Sequence, residues 1–207
     1  MIIAVDGPAA SGKGTLARAL AAHFGLNYLD TGTLYRMVAL TLIQSGEDPA
    51  DAMAAERAAK ALDVSAFSDA DLRSAEVGAA ASKVAAIPEV REAVLHTQRD
   101  FAHTPPGAVL DGRDIGTIVC PDADVKLFVT ASAKVRAKRR HEELSRRGEE
   151  FSLDAVLADL TERDERDAKR DIAPLKPAED AHLLDSSDLS IEAAFKRAVA
   201  IIEAAKA

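Results

Sequence analysis

Short apolar runs alternate along the chain with longer stretches in which apolar residues recur at helical spacing. The short runs predict β-strands at 1–6, 27–29, 108–110, 125–129 and 181–184. The longer stretches predict α-helices at about 13–24, 31–45, 49–62, 88–101, 133–147, 153–170 and 190–205. Alternation of strands and helices is typical of a parallel sheet with helices on both faces. The pattern therefore predicts an α/β fold.

Two stretches are longer than a single connection between strands requires. Residues 31–107 separate the second and third predicted strands, which indicates an inserted region on the substrate side. Segment 134–171 is densely charged, as a mobile lid would be, although ordinary helical decoration would leave the same pattern. We predict one domain over residues 1–207, with the insert at about 31–103 and the lid at about 134–171.

Composition and charge narrow the class of protein. The chain has 207 residues, of which 48% are hydrophobic, and can bury one substantial core. Its formal net charge of −8 disfavours a general nucleic-acid-binding surface, and no uncharged apolar run approaches the ~20 residues that span a bilayer. We expect a cytoplasmic monomer with no nucleic-acid or membrane partner. The single cysteine, Cys120, is expected to be buried, and the histidines show no metal-ligand spacing.

The clearest chemical motif follows the first predicted strand. Residues 6–15 read DGPAASGKGT, in which Gly7, Gly12 and Lys13 fit the pattern G-x-x-x-x-G-K of a phosphate-binding loop. Glycines let backbone N–H groups turn toward phosphate oxygens, the following helix attracts anions to its N-terminus, and Lys13 adds a positive charge. A glycine-rich turn that contains a lysine by chance would not need a strand before it and a helix after it. The candidate nucleotide-binding residues are Gly7, Pro8, Ala9, Ala10, Ser11, Gly12, Lys13, Gly14 and Thr15.

Two charged helical segments each allow two interpretations. Within 134–147, helical spacing places Arg136, Arg139, Arg140 and Arg147 on one face. Within 162–171, it places Arg163, Arg166, Asp167 and Arg170 on one stripe. Such faces are usually solvated, but in a phosphate-binding protein guanidinium groups also neutralise the charge on transferring phosphoryl oxygens.

Polar residues also follow the third predicted strand. Asp111, Gly112, Arg113 and Asp114 come directly after the apolar run 108–110. Open α/β sheets bind their ligands just beyond the carboxyl ends of the strands. This placement favours a functional role over a plain turn.

Together these segments resemble the bacterial-type cytidylate kinases over nearly the whole chain. The resemblance rests on Asp6–Thr15, Asp30–Arg36, Ala81–Ala85, Val90–Glu92, Asp111–Thr117, Glu162–Arg170, Ala173–Leu175 and Leu184–Ser186. It implies a three-layer phosphate-binding-loop kinase fold with five parallel strands in the order 2-3-1-4-5. It also implies transfer of the γ-phosphoryl group of ATP to CMP or dCMP, with Mg²⁺ carried by the nucleotide.

The resemblance further implies a role for individual residues. Lys13, Arg113 and Arg163 would be catalytic, and Arg36 and Arg113 would hold the acceptor phosphate. The cytosine edge would be read by Ser82, Arg91 and Asp114, with Arg170 nearby. Arg163 and Asp167 would lie with Thr31 at the sugar and phosphate. The full implied substrate-binding set is Thr31, Tyr35, Arg36, Ser82, Arg91, Asp111, Arg113, Asp114, Arg163, Asp167 and Arg170.

The inserted region departs from the longer members of that family. In those members a β-hairpin-like stretch precedes the segment of Ser82, whereas here 62–68 passes almost directly to 71–73. We therefore expect a shortened insert. Two rival functions remain at this point: a kinase for another small acceptor, such as AMP, UMP or a hydroxy acid, and a nucleotide-binding switch that transfers nothing to a small acceptor.

Overall fold

A five-stranded sheet carries the architecture, and the computed structural model describes residues 1–68 and 71–205. Its strands are β1 (Ile2–Asp6), β2 (Asn27–Asp30), β3 (Ala108–Gly112), β4 (Val125–Thr130) and β5 (His182–Asp185). Their order across the sheet is β2-β3-β1-β4-β5. β1 pairs in parallel with β3 on one side and β4 on the other, and β4 pairs in parallel with β5. The predicted parallel sheet and its strand order are confirmed.

Eight α-helices accompany the sheet in the described part of the chain. They are α1 (Lys13–Phe24), α2 (Thr31–Ser45), α3 (Ala52–Lys60), α4 (Ala75–Val84), α5 (Pro88–His103), α6 (Ala133–Arg146), α7 (Leu153–Ala168) and α8 (Ile191–Ala205). Within residues 1–68 and 71–205, none of these helices has the length and apolar character needed to cross a bilayer.

Two helices differ from the sequence prediction because side-chain caps set their first residues. α3 was predicted to begin at Pro49, but the Asp51 carboxylate accepts hydrogen bonds from the amides of Met53 and Ala54, so the helix begins at Ala52. α4 was not predicted as a separate helix. The hydroxyl oxygen of Ser74 accepts the Val77 amide hydrogen bond and starts it.

The chain divides into two compact units. The first comprises Met1–Leu29 and the chain from Phe101 onward, and the second is Asp30–Asp100. In the first unit, α1 and α8 pack on one face of the sheet, and successive strand residues point to opposite faces. This core is built from Ile3, Val5, Leu16, Leu20, Val109, Leu127, Val129, Leu184, Ala198 and Ile202. Cys120 is also fully buried, as predicted.

The second unit is helical in the residues the structure describes there. α2 packs against α3 and α4, around a core of Val38, Leu42, Ala55, Leu72, Val84 and Val90. Between α3 and α4, short 3₁₀ turns form at Val64–Ala66 and Asp71–Arg73. The stretch that is shorter than in the longer family members is thus occupied by turns in its described part.

Candidate active site

The glycine-rich loop connects β1 to α1 at the carboxyl end of the central strand. A Cβ atom at Gly7 would lie 2.0 Å from the backbone oxygen of Val129 on β4. Only glycine can therefore occupy position 7 while the loop packs against β4. Leu16 donates its amide to the carbonyl of Gly12, which begins α1. The N–H groups at the N-terminus of α1 therefore lie at the end of the loop. Such N–H groups bind phosphate in other proteins.

Position 14 carries a glycine where the general phosphate-binding motif has a serine or threonine after Gly-Lys, and a side chain there would lie close to a carboxylate. A Cβ atom at position 14 would lie 3.0 Å from Oδ2 of Asp111. The same carboxylate accepts a 2.9 Å hydrogen bond from the Tyr28 hydroxyl, and its other oxygen lies 3.6 Å from Nζ of Lys13. Asp111 is buried, so Lys13 and Tyr28 hold a carboxylate beside the loop.

A second carboxylate orders the turn that follows β3. Asp6, at the end of β1, accepts 2.8 Å hydrogen bonds from the amides of Ile115 and Gly116. These amides open a π-helical turn, Ile115–Val119, directly after Asp114. Asp6 thereby ties the start of the glycine-rich loop to the segment that carries Arg113 and Asp114.

We expect Asp6 to lower the stability of the protein as the pH rises from about 4 to about 7. Burial raises the pKa of Asp6 from 3.8 to about 7, although its two amide hydrogen bonds oppose the shift. The folded protein then keeps a proton that the unfolded chain releases, so the free energy of unfolding falls by up to ~1.4 kcal/mol per pH unit in this range. The measurement is urea denaturation of the wild type and Asp6→Asn across the range.

The quantity to follow is the unfolding free energy of the wild type minus that of Asp6→Asn. Because carboxylates that do not interact with Asp6 titrate alike in both proteins, that difference reports on Asp6 and its interaction with Asp114. It should decrease steadily as the pH rises. A difference that stays constant would show that Asp6 has the same pKa in the folded protein as in the unfolded chain.

Arg113 and Asp167 form the centre of a buried charge cluster. Nε of Arg113 donates to Oδ2 of Asp167 over 3.0 Å, and a guanidinium nitrogen of Arg170 lies 3.9 Å from Oδ1. Burial raises the pKa of Asp167, but the guanidinium groups of Arg113, Arg163 and Arg170 outweigh it and hold that pKa below its usual value. Three guanidinium groups thus surround one carboxylate, and guanidinium groups are well suited to bind an anionic ligand.

The four arginines predicted to share a face of α6 divide into two groups. Arg136 pairs with Asp164 at 2.6 Å and also donates to the carbonyl of Ala9, while Arg139 donates to the carbonyl of Ser11. These two contact the loop backbone. The other two, Arg140 and Arg147, pair with Glu143.

The predicted stripe on α7 divides in the same way. Arg166 pairs with Glu162 one helical turn earlier, at the exposed surface, and Lys169 pairs with Glu165. Asp167 instead points to the buried arginines. Helical spacing alone therefore identified the right helix but did not separate the surface pairs from the buried cluster.

Five further candidates lie in the second unit. α2 carries Thr31, Tyr35 and Arg36, and the carboxylate of Asp30 caps that helix through the Gly32 amide. The Arg91 guanidinium lies 5.6 Å from the centre of the Tyr35 ring, within cation–π distance.

The two candidate arginines of that unit donate to carbonyls of its own backbone. Arg91 donates to the Ala85 carbonyl at 3.2 Å, Arg36 donates to the Leu72 carbonyl at 2.8 Å, and Ser82 is buried on α4. Thus the unit brings Tyr35 of α2 and Arg91 of α5 together, while Arg36 lies on α2 and Ser82 on α4.

Three residues of the site were not predicted from the sequence as functional. They are Asp6, Tyr28 and Ser186. Asp6 offered one usable signal, since an acidic residue that ends an apolar strand must find partners when buried. Tyr28 gave none, and Ser186 gave only its place in the segment Leu184–Ser186, because their partners Asp111 and Ser11 are distant along the chain.

Sequence comparisons place the chain among known proteins. A family model described as cytidylate kinase matches residues 3–204. A cytidylate kinase from Bradyrhizobium diazoefficiens is 59% identical over 207 residues, which cover 100% of this chain and 98% of that protein. A cytidylate kinase from Methylocella silvestris is 60% identical over 205 residues, covering 99% of this chain and 95% of the other.

Solved structures with the same fold are more distant in sequence. An uncharacterized protein from Eubacterium ventriosum superposes with a TM-score of 0.58 at 15% identity, covering 99% of this chain and 98% of its own. A sugar kinase from a Janibacter species superposes with a TM-score of 0.52 at 14% identity, covering 98% of this chain and 94% of its own. At such identities the likeness concerns the fold alone.

Proposed function

We propose, since this chain belongs to the cytidylate kinase family, that it transfers the γ-phosphoryl group of ATP to CMP or dCMP, giving ADP and CDP or dCDP. The observation that carries the proposal is the glycine-rich loop at the N-terminus of α1, with Lys13 beside it and a buried arginine cluster in the same unit. Phosphoryl transfer asks for positioning and charge neutralisation rather than a protein nucleophile.

The loop residues 7–15 would hold the phosphates of ATP. The amides at the start of α1 favour the anion, and Gly7 and Gly14 let the loop pack closely against Val129 and Asp111. In this proposal Lys13 leaves Asp111 for the β- and γ-phosphate oxygens, and Tyr28 keeps the Asp111 carboxylate paired by its hydrogen bond. Lys13 would then act where negative charge develops during transfer.

The arginine cluster would receive the transferring and accepting phosphoryl groups. Arg113 and Arg163 lie with Asp167 at the buried face of α7, and Arg36 lies on α2. Guanidinium groups match phosphate oxygens in a bidentate way and neutralise their spread charge. Asp167 would fix the arginines and accept a hydroxyl of the sugar, with Thr31 at the same end of the acceptor.

The cytosine ring would be recognised through its exocyclic amine and its two acceptors. Cytosine presents N4 as a donor beside N3 and O2. The Asp114 carboxylate, which is buried, suits the donor. Arg91, which is stacked near Tyr35, and Ser82 suit the acceptors, with Arg170 close to Asp167 and the sugar.

We expect transfer to require Mg²⁺ and chelation to stop it reversibly. Within residues 1–68 and 71–205, no group of three or more His, Cys, Asp or Glu side chains could hold a metal ion. Mg²⁺ commonly binds through substrate phosphates and water, so the ion is expected to arrive with ATP and to neutralise its β- and γ-oxygens. ADP release should fall to background in excess EDTA and return when Mg²⁺ is added. Full turnover in the presence of the chelator would contradict this expectation.

The experiment that tests the proposed function is a coupled ADP-release assay with MgATP and a panel of nucleoside monophosphates. CMP and dCMP should stimulate ADP release strongly, and AMP and UMP weakly. Slow release that ignores every acceptor would favour a nucleotide-binding switch. Strong stimulation by AMP or UMP alone would favour a kinase for another acceptor.

A further inference from the structure

The backbone carbonyl of Ser11, in the middle of the glycine-rich loop, accepts two hydrogen bonds from outside the loop. Nη1 of Arg139 on α6 donates to it over 3.2 Å, and the Ser186 hydroxyl donates to it over 2.9 Å. Both donors are partly or wholly buried, and Ser11 is fully buried. The carbonyl thus has partners for both of its lone pairs.

The two donors are also bonded to each other. Arg139 donates from Nη1 to the hydroxyl oxygen of Ser186 over 3.0 Å and from Nη2 to the Ser186 carbonyl over 2.7 Å. The Ser186 amide donates to the carbonyl of Thr130 at the end of β4, over 2.8 Å. We call Arg139 and Ser186, with these bonds, the Arg139–Ser186 clamp. It joins the loop to α6 and to the sheet.

The clamp fixes more than one atom, because a trans peptide is planar. The N–H of Gly12 belongs to the same peptide as the Ser11 carbonyl and points the opposite way. Holding that carbonyl against α6 and the residues after β5 therefore turns the Gly12 amide toward the other side of the loop. Gly12 lies at the start of α1, where an anion is favoured.

The orientation of the peptide between Ser11 and Gly12 is not set by regular secondary structure on either side of it. Ala10 and Gly12 have φ values of 58° and 89°, in the left-handed region, so the backbone changes direction around Ser11. The Ser11 hydroxyl oxygen is buried and has no hydrogen-bond partner in the described part of the chain. The loop peptide is thus anchored through its carbonyl and not through that side chain.

A second carbonyl of the loop is held in a similar way from the same helix. Nη1 of Arg136 lies 3.3 Å from the carbonyl oxygen of Ala9, and the guanidinium is fixed by a bidentate pair with Asp164 on α7. By the same planar geometry this contact orients the amide of Ala10. Two carbonyls that alternate along the loop therefore face α6.

We propose that Arg139 and Ser186 are positioning residues that hold the Gly12 amide in the orientation that binds a phosphate group of ATP. The inference rests on the proposed function, in which the loop binds ATP. It assigns Arg139 a backbone carbonyl as its partner and not a phosphate oxygen. It also gives Ser186, a neutral residue, a share in ATP affinity.

The test compares Ser186→Ala, Arg139→Met and Arg139→Lys with matched controls on α6. Ser145→Ala and Arg146→Met change exposed residues of the same types, and Arg146 donates to the Glu142 carbonyl of its own helix. Dissociation constants for MgATP and, separately, for CMP are measured by calorimetry. Thermal unfolding shows whether each variant is folded, and Ser186→Ala keeps the test valid if an Arg139 variant does not fold.

Affinity for ATP should fall selectively. We expect about 3- to 10-fold weaker MgATP binding for Ser186→Ala and roughly 10- to 100-fold weaker binding for Arg139→Met, as loss of neutral and charge-assisted hydrogen bonds implies. Arg139→Lys should resemble Arg139→Met, because a lysine cannot serve the Ser11 carbonyl and both Ser186 oxygens in one plane. CMP affinity and both controls should stay within about two-fold of the wild type.

Three results would overturn the proposal. They are unchanged ATP affinity in folded variants, equal weakening of ATP and CMP, and weakening in Arg139→Met without any in Ser186→Ala. In that last case, an Arg139→Lys variant that binds ATP like the wild type would show that Arg139 acts on the phosphates by its positive charge, which lysine keeps. The ATP measurements need no acceptor, so a wild-type protein that binds ATP but releases no ADP with CMP would contradict the proposed function alone.

Discussion

Replacement of Lys13 by alanine is expected to abolish nearly all phosphoryl transfer while the fold survives. Lys13 lies beside the loop, 3.6 Å from the buried Asp111 carboxylate, and would neutralise the charge that grows on the β- and γ-phosphate oxygens. Loss of one such preorganised group costs roughly 10²- to 10³-fold in kcat. In the variant Asp111 retains its hydrogen bond from Tyr28. Steady-state kinetics with MgATP and CMP measure the effect.

The matched control is Lys196→Ala. Lys196 is an exposed lysine of α8 that pairs with Glu192, and its loss should leave kcat unchanged. Thermal unfolding of Lys13→Ala separates loss of chemistry from loss of structure. Activity within a few-fold of the wild type in folded Lys13→Ala protein would refute the role assigned to this lysine.

Substitution of Asp114 by asparagine should reduce the preference for CMP over UMP, mostly by loss of CMP activity. Uracil has an acceptor oxygen where cytosine has its N4 amine, and an ionised carboxylate has no proton to offer that oxygen. A buried polar group left unpaired costs on the order of 1–3 kcal/mol, which is about 10- to 100-fold in specificity. The asparagine amide can donate to the uracil oxygen, so the penalty on UMP becomes smaller.

The measurement is the ratio of kcat/KM for CMP and for UMP in the wild type and in Asp114→Asn. The control is Asp122→Asn, which makes the same substitution in the exposed turn before β4. It should leave the ratio unchanged. We expect Arg91 and Ser82 to contribute less to this choice, because uracil changes only N3 of their two proposed partners, O2 and N3. If Asp114→Asn leaves the ratio at its wild-type value, another residue reads the base.

Much of the fold follows from local patterns in the sequence. The buried strands are short apolar runs, and Gly25 ends α1 in a left-handed conformation as a helix stop should. The start of α3 was harder to predict, because Pro49 and Asp51 both fit a helix N-terminus. The Asp51 side chain decides it, since its carboxylate satisfies two backbone amides that Pro49 cannot serve.

The candidate site was predictable where one segment carries the chemistry, and less so where distant segments meet. The loop motif and the cluster after β3 are contiguous in sequence. By contrast, the contacts of Arg136 and Arg139 with the loop carbonyls depend on how α6 packs, which helical spacing does not reveal. The predicted roles of Arg36, Ser82, Arg91 and the other acceptor-site residues stay predictions that the kinetic experiments address.

The most direct test of phosphoryl transfer follows the γ-phosphoryl group itself. ATP labelled with ³²P at the γ-position is incubated with the protein, Mg²⁺ and CMP, and the products are separated by chromatography. We predict that the label appears in CDP, that ADP forms in equal amount, and that omission of CMP prevents both. Label recovered as inorganic phosphate, with none in CDP, would contradict the claim that this chain is a cytidylate kinase in activity as well as in family.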